Sequence, residues 1–343
     1  MPLASRGTGP ARVHYNLDPE LQAAVQAELD KYRPDYGVVV AMDAETGRVL
    51  AMADVRRDGA PAGTLPLKAT YPAASVFKTV TAAAAIDLGK ADASTVVPYN
   101  GKTTTLYRKN VLEHRDNKWT RHDSPAKSFA QSANVAFARL GIFTVGGDRL
   151  LDYATRFGFN HPLDSDLPLE TSTIEMDPAD PWSVAEAASG WTRGTNMSPL
   201  HGAALAAVVA NGGMMPAPRP VDAITDPYGI ILFESEPGEP RRVIAPSSAA
   251  EMRELMRATV AGGTAGDTFR GFARDFGHVE VGGKTGSLTG SNPEGRYDWF
   301  IGYASDGERT IAFATLCINK NFWYVKSSHL ARRLVESYFA GSG

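Results

Sequence analysis

The chain has 343 residues, of which 43% are hydrophobic and 21% charged, and its formal net charge is −3. This composition is that of a globular protein with a sizeable core, and it excludes wholesale disorder. No basic run dominates the sequence, so it has no electrostatic signature of nucleic-acid binding. The sequence contains no run of about 18 apolar residues that could span a membrane, and its single cysteine excludes an internal disulfide.

The beginning of the chain predicts a helix followed by a β-hairpin. Residues 1–15 lack the apolar core of a signal peptide and are interpreted as a flexible tail or the edge of an expressed segment. An Asp-Pro-Glu start signal, followed by Leu and Val at helical spacing, predicts a helix over residues 18–32. Two Val-containing runs at 37–43 and 48–53 flank a Glu-Thr-Gly turn, which predicts a hairpin.

A buried helix of about 13 residues is predicted to begin at Ser75 and to end before Gly89. Pro72 excludes continuation from upstream, and the run contains four consecutive alanines and no helix breaker. The helix is apolar nearly all round, which is typical of a buried element. Lys78 is unusual in such a helix, and it shares a face with Ser75 because the two are three residues apart. This pair suggests a nucleophile and its base.

The middle of the chain is mostly helical. Residues 90–123 are polar and irregular, and they are compatible with either a surface hairpin or a lid. Ser124 and Pro125 form a good N-cap and N1 pair, and residues 160–182, rich in Pro and Asp, predict a loop. The helices predicted in this region, the first two separated by a break at 132–134, cover residues 124–131, 135–140, 148–157 and 198–210.

The last third of the chain adds three strands to the two of the first hairpin. Cys317 lies in the apolar run of the last strand and is expected to be a buried small hydrophobe. The predicted elements are a hairpin over 223–233, a helix over 247–260, strands over 279–287, 298–304 and 310–318, and a helix over 326–340.

This order of elements predicts an α+β fold. Strands lie at both ends of the sequence, so they most simply form one antiparallel sheet that the terminal helices flank. The predicted sheet lobe comprises residues 16–74 and 215–343, and the mostly helical lobe comprises residues 75–214. The two lobes together form one domain over 16–343, with the Ser75 helix at the cleft between them.

A Ser-x-x-Lys pair is weak evidence by itself, because this chain contains a second copy at Ser124 and Lys127. Ser124 is explained by its position as an N-cap, and Lys127 lies on a polar stretch. The first copy is distinguished by two motifs that follow it in order. Ser-Ala-Asn stands at the predicted helix break, 132–134, and Lys-Thr-Gly-Ser stands on a predicted strand at 284–287.

The three motifs together resemble the superfamily of penicillin-binding protein transpeptidases and serine β-lactamases, whose signatures are SxxK, SxN and K[TS]G. Residues 42–52 look like the first hairpin of high-molecular-mass penicillin-binding proteins, and the resemblance extends over about 15–340. It implies a five-stranded antiparallel sheet flanked by helices, with a mostly helical lobe. Further similar landmarks are residues 157–159, 167–170, 197–200 and 298–303.

The resemblance implies a set of catalytic residues. Ser75 would be the nucleophile, and Lys78, as the neutral amine, would accept its proton, which requires a pKa well below that of a free lysine. Burial, the positive end of the helix and the nearby Lys284 would all lower that pKa. Ser132 would pass the proton towards the leaving amine, and the backbone N–H groups of Ser75 and Ser287 would form an oxyanion hole.

The resemblance also implies substrate-binding residues. Asn134 would bind the substrate's amide, Lys284 and Thr285 would hold its terminal carboxylate, and Gly286 would let the strand approach the acyl group closely. One feature departs from the family pattern, in which Pro-Gly precedes the nucleophilic serine. Alanine stands at position 74 here, and it is disfavoured if the backbone needs φ > 0.

Other chemistries fit the sequence less well. The stretch 277–285 superficially suggests a phosphate-binding loop, but His278 stands where that pattern needs its first glycine. No His-x-x-x-His zinc pattern and no Gly-x-Ser-x-Gly elbow occur in the sequence, so neither a metal nor an α/β-hydrolase is expected. No cofactor is expected either.

The expected function is that of a peptidoglycan D,D-transpeptidase that acts on D-Ala-D-Ala stem peptides through a serine acyl-enzyme. Expected partners are stem peptides, β-lactam antibiotics as inhibitors and candidate cell-wall synthesis proteins, with no nucleic acid, at an extracytoplasmic site in the periplasm or at the cell surface. A D,D-carboxypeptidase would use the same residues. A serine β-lactamase would need fast deacylation, for which no clear Glu-x-x-x-Asn pattern is present at the expected place. A β-lactam sensor domain is the non-enzymatic alternative.

Overall fold

A computed structural model describes residues 10–60, 63–113, 115–236 and 238–340. Its helices are α1 (Pro19–Tyr32), α2 (Lys78–Asp87), α3 (Arg108–Leu112), α4 (Pro125–Ala130), α5 (Asn134–Arg139), α6 (Gly147–Arg156), α7 (Pro181–Ser189), α8 (Pro199–Ala210), α9 (Pro246–Ala261), α10 (Gly266–Phe269), α11 (Phe272–Phe276) and α12 (Ser327–Phe339). Across these described ranges, no helix combines the length and the apolar character needed to cross a membrane.

The strands form one large sheet and several small ones. They are β1 (Arg12–Tyr15), β2 (Tyr36–Asp43), β3 (Val49–Arg56), β4 (Tyr71–Pro72), β5 (Val97–Tyr99), β6 (Arg121–Asp123), β7 (Thr173–Ile174), β8 (Thr195–Met197), β9 (Met214–Met215), β10 (Val221–Thr225), β11 (Ile231–Glu234), β12 (Arg241–Arg242), β13 (Glu280–Ser291), β14 (Glu294–Ser305) and β15 (Thr310–Asn319).

The large sheet has five antiparallel strands in the order β13-β14-β15-β2-β3. The N-terminal hairpin and the three C-terminal strands therefore share one sheet, and the predicted α+β fold is confirmed. Helices α1 and α12 cover one face, where Leu29 and Leu334 pack in one cluster with Phe313. Cys317 is buried in the same cluster, as expected. In this order β13 is an edge strand of the sheet.

The opposite face of the sheet is covered by α8, every residue of which is buried. A Cβ on Gly202 of this helix would lie 3.2 Å from the Cβ of Ala314 on β15, so the two backbones approach closely. The sequence prediction assigned α8 to the helical lobe, but the helix packs directly on the sheet. The alanine-rich composition of α8 predicts burial without identifying which lobe covers it.

The N-terminal segment and α7 also differ from the sequence prediction. Residues 1–9 of the predicted tail lie outside the described residues, but Arg12–Tyr15 is a strand that pairs with β10, so the tail does not extend to residue 15. Helix α7 begins at the end of a predicted loop and was missed. Its start signal, Asp180 followed by Pro181, is present in the sequence. In the structure the Asp180 side chain accepts hydrogen bonds from the backbone of the first turn.

Residues 90–113 and 115–123 contain a small unit made of α3 and the antiparallel pair β5–β6. The unit packs behind the break between α4 and α5. The backbone N–H of Asn134 donates to the Thr103 carbonyl (2.8 Å), and the Arg139 guanidinium donates to the carbonyls of Pro98 and Val111 (3.1 and 2.9 Å). This region therefore supports the Ser-Ala-Asn segment from behind.

Candidate active site

The chain reaches Ser75 through a tight 3₁₀ turn over Ala74–Phe77, and the α-helix begins only at Lys78. The sequence predicted a helix from Ser75 onward, and the difference is that its first turn is 3₁₀. Ala74, directly before Ser75, has a left-handed φ of 50°. Gly190 packs against this turn, since a Cβ there would lie 1.9 Å from the Ala74 carbonyl oxygen. The Trp299 indole also donates to the Pro72 carbonyl at 2.9 Å. Neighbouring elements thus hold the turn in an unfavourable conformation.

We expect Ala74→Gly to stabilise the protein by up to about 1 kcal/mol. A left-handed conformation costs an L-residue about 1–2 kcal/mol, and glycine avoids this cost while losing more backbone entropy on folding. Urea denaturation measures the change in the free energy of unfolding. Ala73→Gly is the matched control: Ala73 has a right-handed φ of −64°, so glycine there should destabilise by about 0.5–1 kcal/mol. Destabilisation by Ala74→Gly would contradict the assigned backbone strain.

The side-chain nitrogen of Lys78 lies at the centre of the site. Its Nζ is 2.7 Å from the Ser75 hydroxyl, 2.8 Å from the Asn134 side-chain carbonyl and 2.6 Å from the Ser189 backbone carbonyl. A neutral amine has two N–H bonds and one lone pair. The two carbonyls accept the N–H bonds, which leaves the lone pair for the Ser75 hydroxyl proton. The three contacts also suit an ammonium that donates to all three oxygens, so the electrostatic environment decides between the two protonation states.

The electrostatic environment favours the neutral form of the Lys78 amine. Lys78 is fully buried, and burial, assisted by the charge of Lys284, holds the pKa of Lys78 well below its usual value. Burial also lowers the pKa of Lys284, to about 7. The predicted contributions of burial and of Lys284 are confirmed in direction.

Ser132 and Lys284 meet across the cleft. The Lys284 ammonium donates to the Ser132 hydroxyl at 3.0 Å and to the Thr285 carbonyl at 2.9 Å. Ser132 adopts a φ of 55°, which interrupts the helix at the predicted break. The chain order of the motifs could not show this pairing. It links the helical lobe directly to the sheet.

Strand β13 runs beside the nucleophile turn. A Cβ added to Gly286 would lie 3.2 Å from both the Val76 nitrogen and the Ala73 oxygen, so a side chain would not fit without displacement. This close approach agrees with the predicted role of glycine at this position. Ser287, the next residue, is exposed, while Thr285 has its hydroxyl 2.6 Å from that of Thr264.

The second Ser-x-x-Lys pair lies outside the site. The Ser124 hydroxyl accepts a hydrogen bond from the Lys127 backbone at 3.2 Å, which is the predicted N-cap. The Lys127 ammonium forms an ion pair with Asp123 at 2.6 Å. Both side chains are therefore accounted for by local structure.

Several residues of the site were missed by sequence reasoning. The carbonyl of Ser189 and the close contact at Gly190 belong to α7, whose N-terminal signal was present but not used. Thr264 follows a Gly-Gly pair that marked only the end of a helix. Within the part of the chain that the structure describes, no group of three or more His, Cys, Asp or Glu side chains is arranged to hold a metal ion.

Sequence comparison identifies a family match and several relatives. Residues 37–338 match the model of the penicillin-binding protein transpeptidase domain. PbpA of Mycobacterium tuberculosis, named a peptidoglycan D,D-transpeptidase, is 27% identical over 90% of this chain and 67% of the relative. A probable peptidoglycan D,D-transpeptidase FtsI of Caulobacter vibrioides is 30% identical over 81% of this chain and 46% of the relative. The chain thus spans about two thirds of the first and less than half of the second.

Solved structures share the fold. Penicillin-binding protein 3 of M. tuberculosis in complex with aztreonam superimposes with a TM-score of 0.80 at 21% identity, covering 97% of this chain and 79% of that one. The imipenem acyl-enzyme complex of penicillin-binding protein A from M. tuberculosis gives a TM-score of 0.76 at 24% identity, covering 96% and 80%.

Proposed function

Because the chain belongs to the penicillin-binding protein transpeptidase family, we propose that it is a peptidoglycan D,D-transpeptidase that works through an acyl-enzyme on Ser75. The observation that carries the proposal is the contact between a buried lysine amine and the Ser75 hydroxyl at 2.7 Å. Nucleophilic acyl transfer requires such an activated hydroxyl. The names of the relatives support the same reaction.

In the first half-reaction, the Ser75 oxygen attacks the carbonyl carbon of the D-Ala-D-Ala peptide bond. The neutral Lys78 amine accepts the hydroxyl proton as the new C–O bond forms. The backbone N–H groups of Ser75 and Ser287 stabilise the negative charge on the tetrahedral oxygen. The close approach of Gly286 to the nucleophile turn supports this assignment, since it brings β13 next to Ser75.

Collapse of the tetrahedral intermediate breaks the C–N bond and releases D-alanine. Its leaving nitrogen needs a proton, which Ser132 donates while it takes up the proton that Lys78 accepted from Ser75, so that Lys78 is neutral again and Ser132 keeps its hydroxyl. The Lys284 ammonium, 3.0 Å from the Ser132 oxygen, stabilises the negative charge that develops there. In the second half-reaction an acceptor amine attacks the acyl-enzyme, and the same groups work in reverse.

The substrate is held by groups on both lobes. Lys284 and Thr285 bind its terminal carboxylate, and Asn134 binds the amide of the peptide. Asn134 has a second task, because its carbonyl accepts a hydrogen bond from Lys78. This bond fixes the amine towards Ser75, so Asn134 serves both the base and the substrate.

The alternatives within the family differ in what removes the acyl group. In a D,D-carboxypeptidase, water would remove the acyl group from the serine. In a serine β-lactamase, water would rapidly remove the acyl group that a β-lactam had left on the serine. In a sensor domain the acyl group would stay on the serine. We propose an amine acceptor, on the names of the relatives. The proposed location is outside the cytoplasm, in the periplasm or at the cell surface, where stem peptides and cell-wall synthesis proteins are available as partners.

A labelled penicillin tests the proposal against the β-lactamase alternative. We expect one covalent adduct per chain, located on the peptide that contains Ser75, because the sequence has no clear Glu-x-x-x-Asn pattern at the place expected for a deacylating base. Intact-mass spectrometry followed by peptide mapping detects the adduct. With a chromogenic β-lactam, product should appear only in proportion to enzyme. Sustained turnover would instead favour a β-lactamase, and the absence of any mass gain in folded protein would refute the proposal.

A further inference from the structure

Thr264 lies on the connection between α9 and α10, outside the three sequence motifs. A Cβ added to the preceding Gly263 would lie 2.5 Å from the Ala130 carbonyl oxygen, so this connection packs tightly against the end of α4. The backbone N–H of Thr264 donates to the same Ala130 carbonyl at 2.9 Å. The position of Thr264 is therefore fixed against Ala130 of the helical lobe, which lies two residues before Ser132.

The side chain of Thr264 points to the other wall of the cleft. Its hydroxyl lies 2.6 Å from the hydroxyl of Thr285 on β13. Thr285 in turn accepts a hydrogen bond from the Lys284 ammonium through its backbone carbonyl at 2.9 Å. Thr264 thus contacts both Ala130, two residues before Ser132, and Thr285, the residue after Lys284.

The two hydroxyls can be arranged in two ways. If Thr285 donates to Thr264, its single proton is used within the protein. If Thr264 donates to Thr285, the Thr285 proton is free to point into the cleft. A carboxylate only accepts hydrogen bonds, so it requires the second arrangement. A chain in which Thr264 donates to Thr285, and Thr285 donates to a carboxylate, is also strengthened cooperatively.

We propose that Thr264 is a positioning residue for recognition of the substrate's carboxylate, acting by donating a hydrogen bond to the Thr285 hydroxyl. The inference rests on the proposed function, because it assumes a carboxylate-bearing substrate. It predicts that the Thr264 hydroxyl discriminates ligands with a free carboxylate from the same ligands without one. A merely structural role would affect both ligands alike.

The test compares penicillin with its neutral methyl ester as acylating ligands of the whole chain. Thr264→Val keeps the shape and removes the hydroxyl, and it should lower the second-order acylation rate with penicillin about five- to tenfold, mainly through weaker binding. The rate with the ester should stay within about twofold of wild type. Thr264→Ser, which retains the hydroxyl, should restore the penicillin rate. In a Thr285→Val background, Thr264→Val should have no further effect.

The matched control is Thr268→Val, since the Thr268 hydroxyl also pairs with a hydroxyl, that of Ser328 at 3.0 Å, but at α12. It should leave the ratio of the two rates unchanged. Equal losses with both ligands, no loss with either, or failure of serine to rescue would overturn the role of Thr264. An unacylated wild-type protein would overturn the proposed function, and this inference with it, so the two failures are distinguishable.

Discussion

Ser75→Ala should abolish the covalent penicillin adduct completely, whereas Ser124→Ala should leave it at the wild-type level. The two serines occupy the same Ser-x-x-Lys pattern, so the pair of variants compares the same spacing of serine and lysine in different surroundings. The Ser75 hydroxyl lies next to a buried amine, while Ser124 caps a helix. Without the Ser75 oxygen there is no nucleophile to form the ester bond.

Intact-mass spectrometry after incubation with penicillin measures both variants. Ser124→Ala removes an N-cap and should cost about 1 kcal/mol of stability, so its folding is checked by thermal denaturation. An adduct that persists in Ser75→Ala, or one that disappears in a folded Ser124→Ala, would show that the wrong serine has been assigned.

Lys78→Met should slow acylation by roughly 10²- to 10⁴-fold, the usual contribution of a positioned general base. Methionine has a similar length and no proton-accepting nitrogen. Lys127→Met, in the second copy of the pattern, is the matched control and should retain the wild-type rate, because Lys127 forms an ion pair with Asp123. Second-order rate constants for acylation by a chromogenic β-lactam measure both. A Lys78→Met variant as fast as wild type would rule out Lys78 as the base.

The pH dependence of acylation follows from the two lysines. Lys78 must be neutral, so the rate should rise as pH increases through its lowered pKa. Lys284 must be charged to hold a carboxylate, so the rate should fall above its pKa of about 7. The second-order rate constant should therefore pass through a maximum, with a fall on the alkaline side that follows the loss of the Lys284 charge. A rate that continues to climb through the alkaline range would contradict the assignment of Lys284 to the carboxylate.

Much of the fold could be predicted from the sequence because its signals are local. Runs of β-forming residues bounded by turn signals identified the five strands of the large sheet, and the N-cap and proline signals located α1 and α4. Strand β1 could not be found in this way. It has only four residues, all exposed, and it exists through pairing with a segment far along the chain.

The residues of the site could be predicted as motifs, but their connections could not. Ser75, Lys78, Ser132, Asn134 and Lys284 were named from three short patterns. Which of them touch depends on how the two lobes meet, and a motif contains no information about that distance. The structure pairs Lys78 with Asn134 and Lys284 with Ser132. These two contacts give each lysine a partner on the helical lobe.

Ala74 shows where a local rule and the tertiary structure conflict. Alanine disfavours the positive φ observed there. The sequence alone could not show whether the backbone adopts a positive φ at this position. The turn is maintained by packing against Gly190 and by the hydrogen bond from Trp299 to Pro72. The strain is thus located immediately before the nucleophile, as is common at functional sites.

The most direct test of the account is to incubate the protein with a stem-peptide donor ending in D-Ala-D-Ala and an acceptor amine, and to count released D-alanine against cross-linked product. We expect cross-linked product to form in nearly equal amount to the released D-alanine, and both to be lost in Ser75→Ala. Release of D-alanine without cross-linked product would identify a carboxypeptidase. Absence of both products from a protein that penicillin acylates would contradict the transpeptidase assignment.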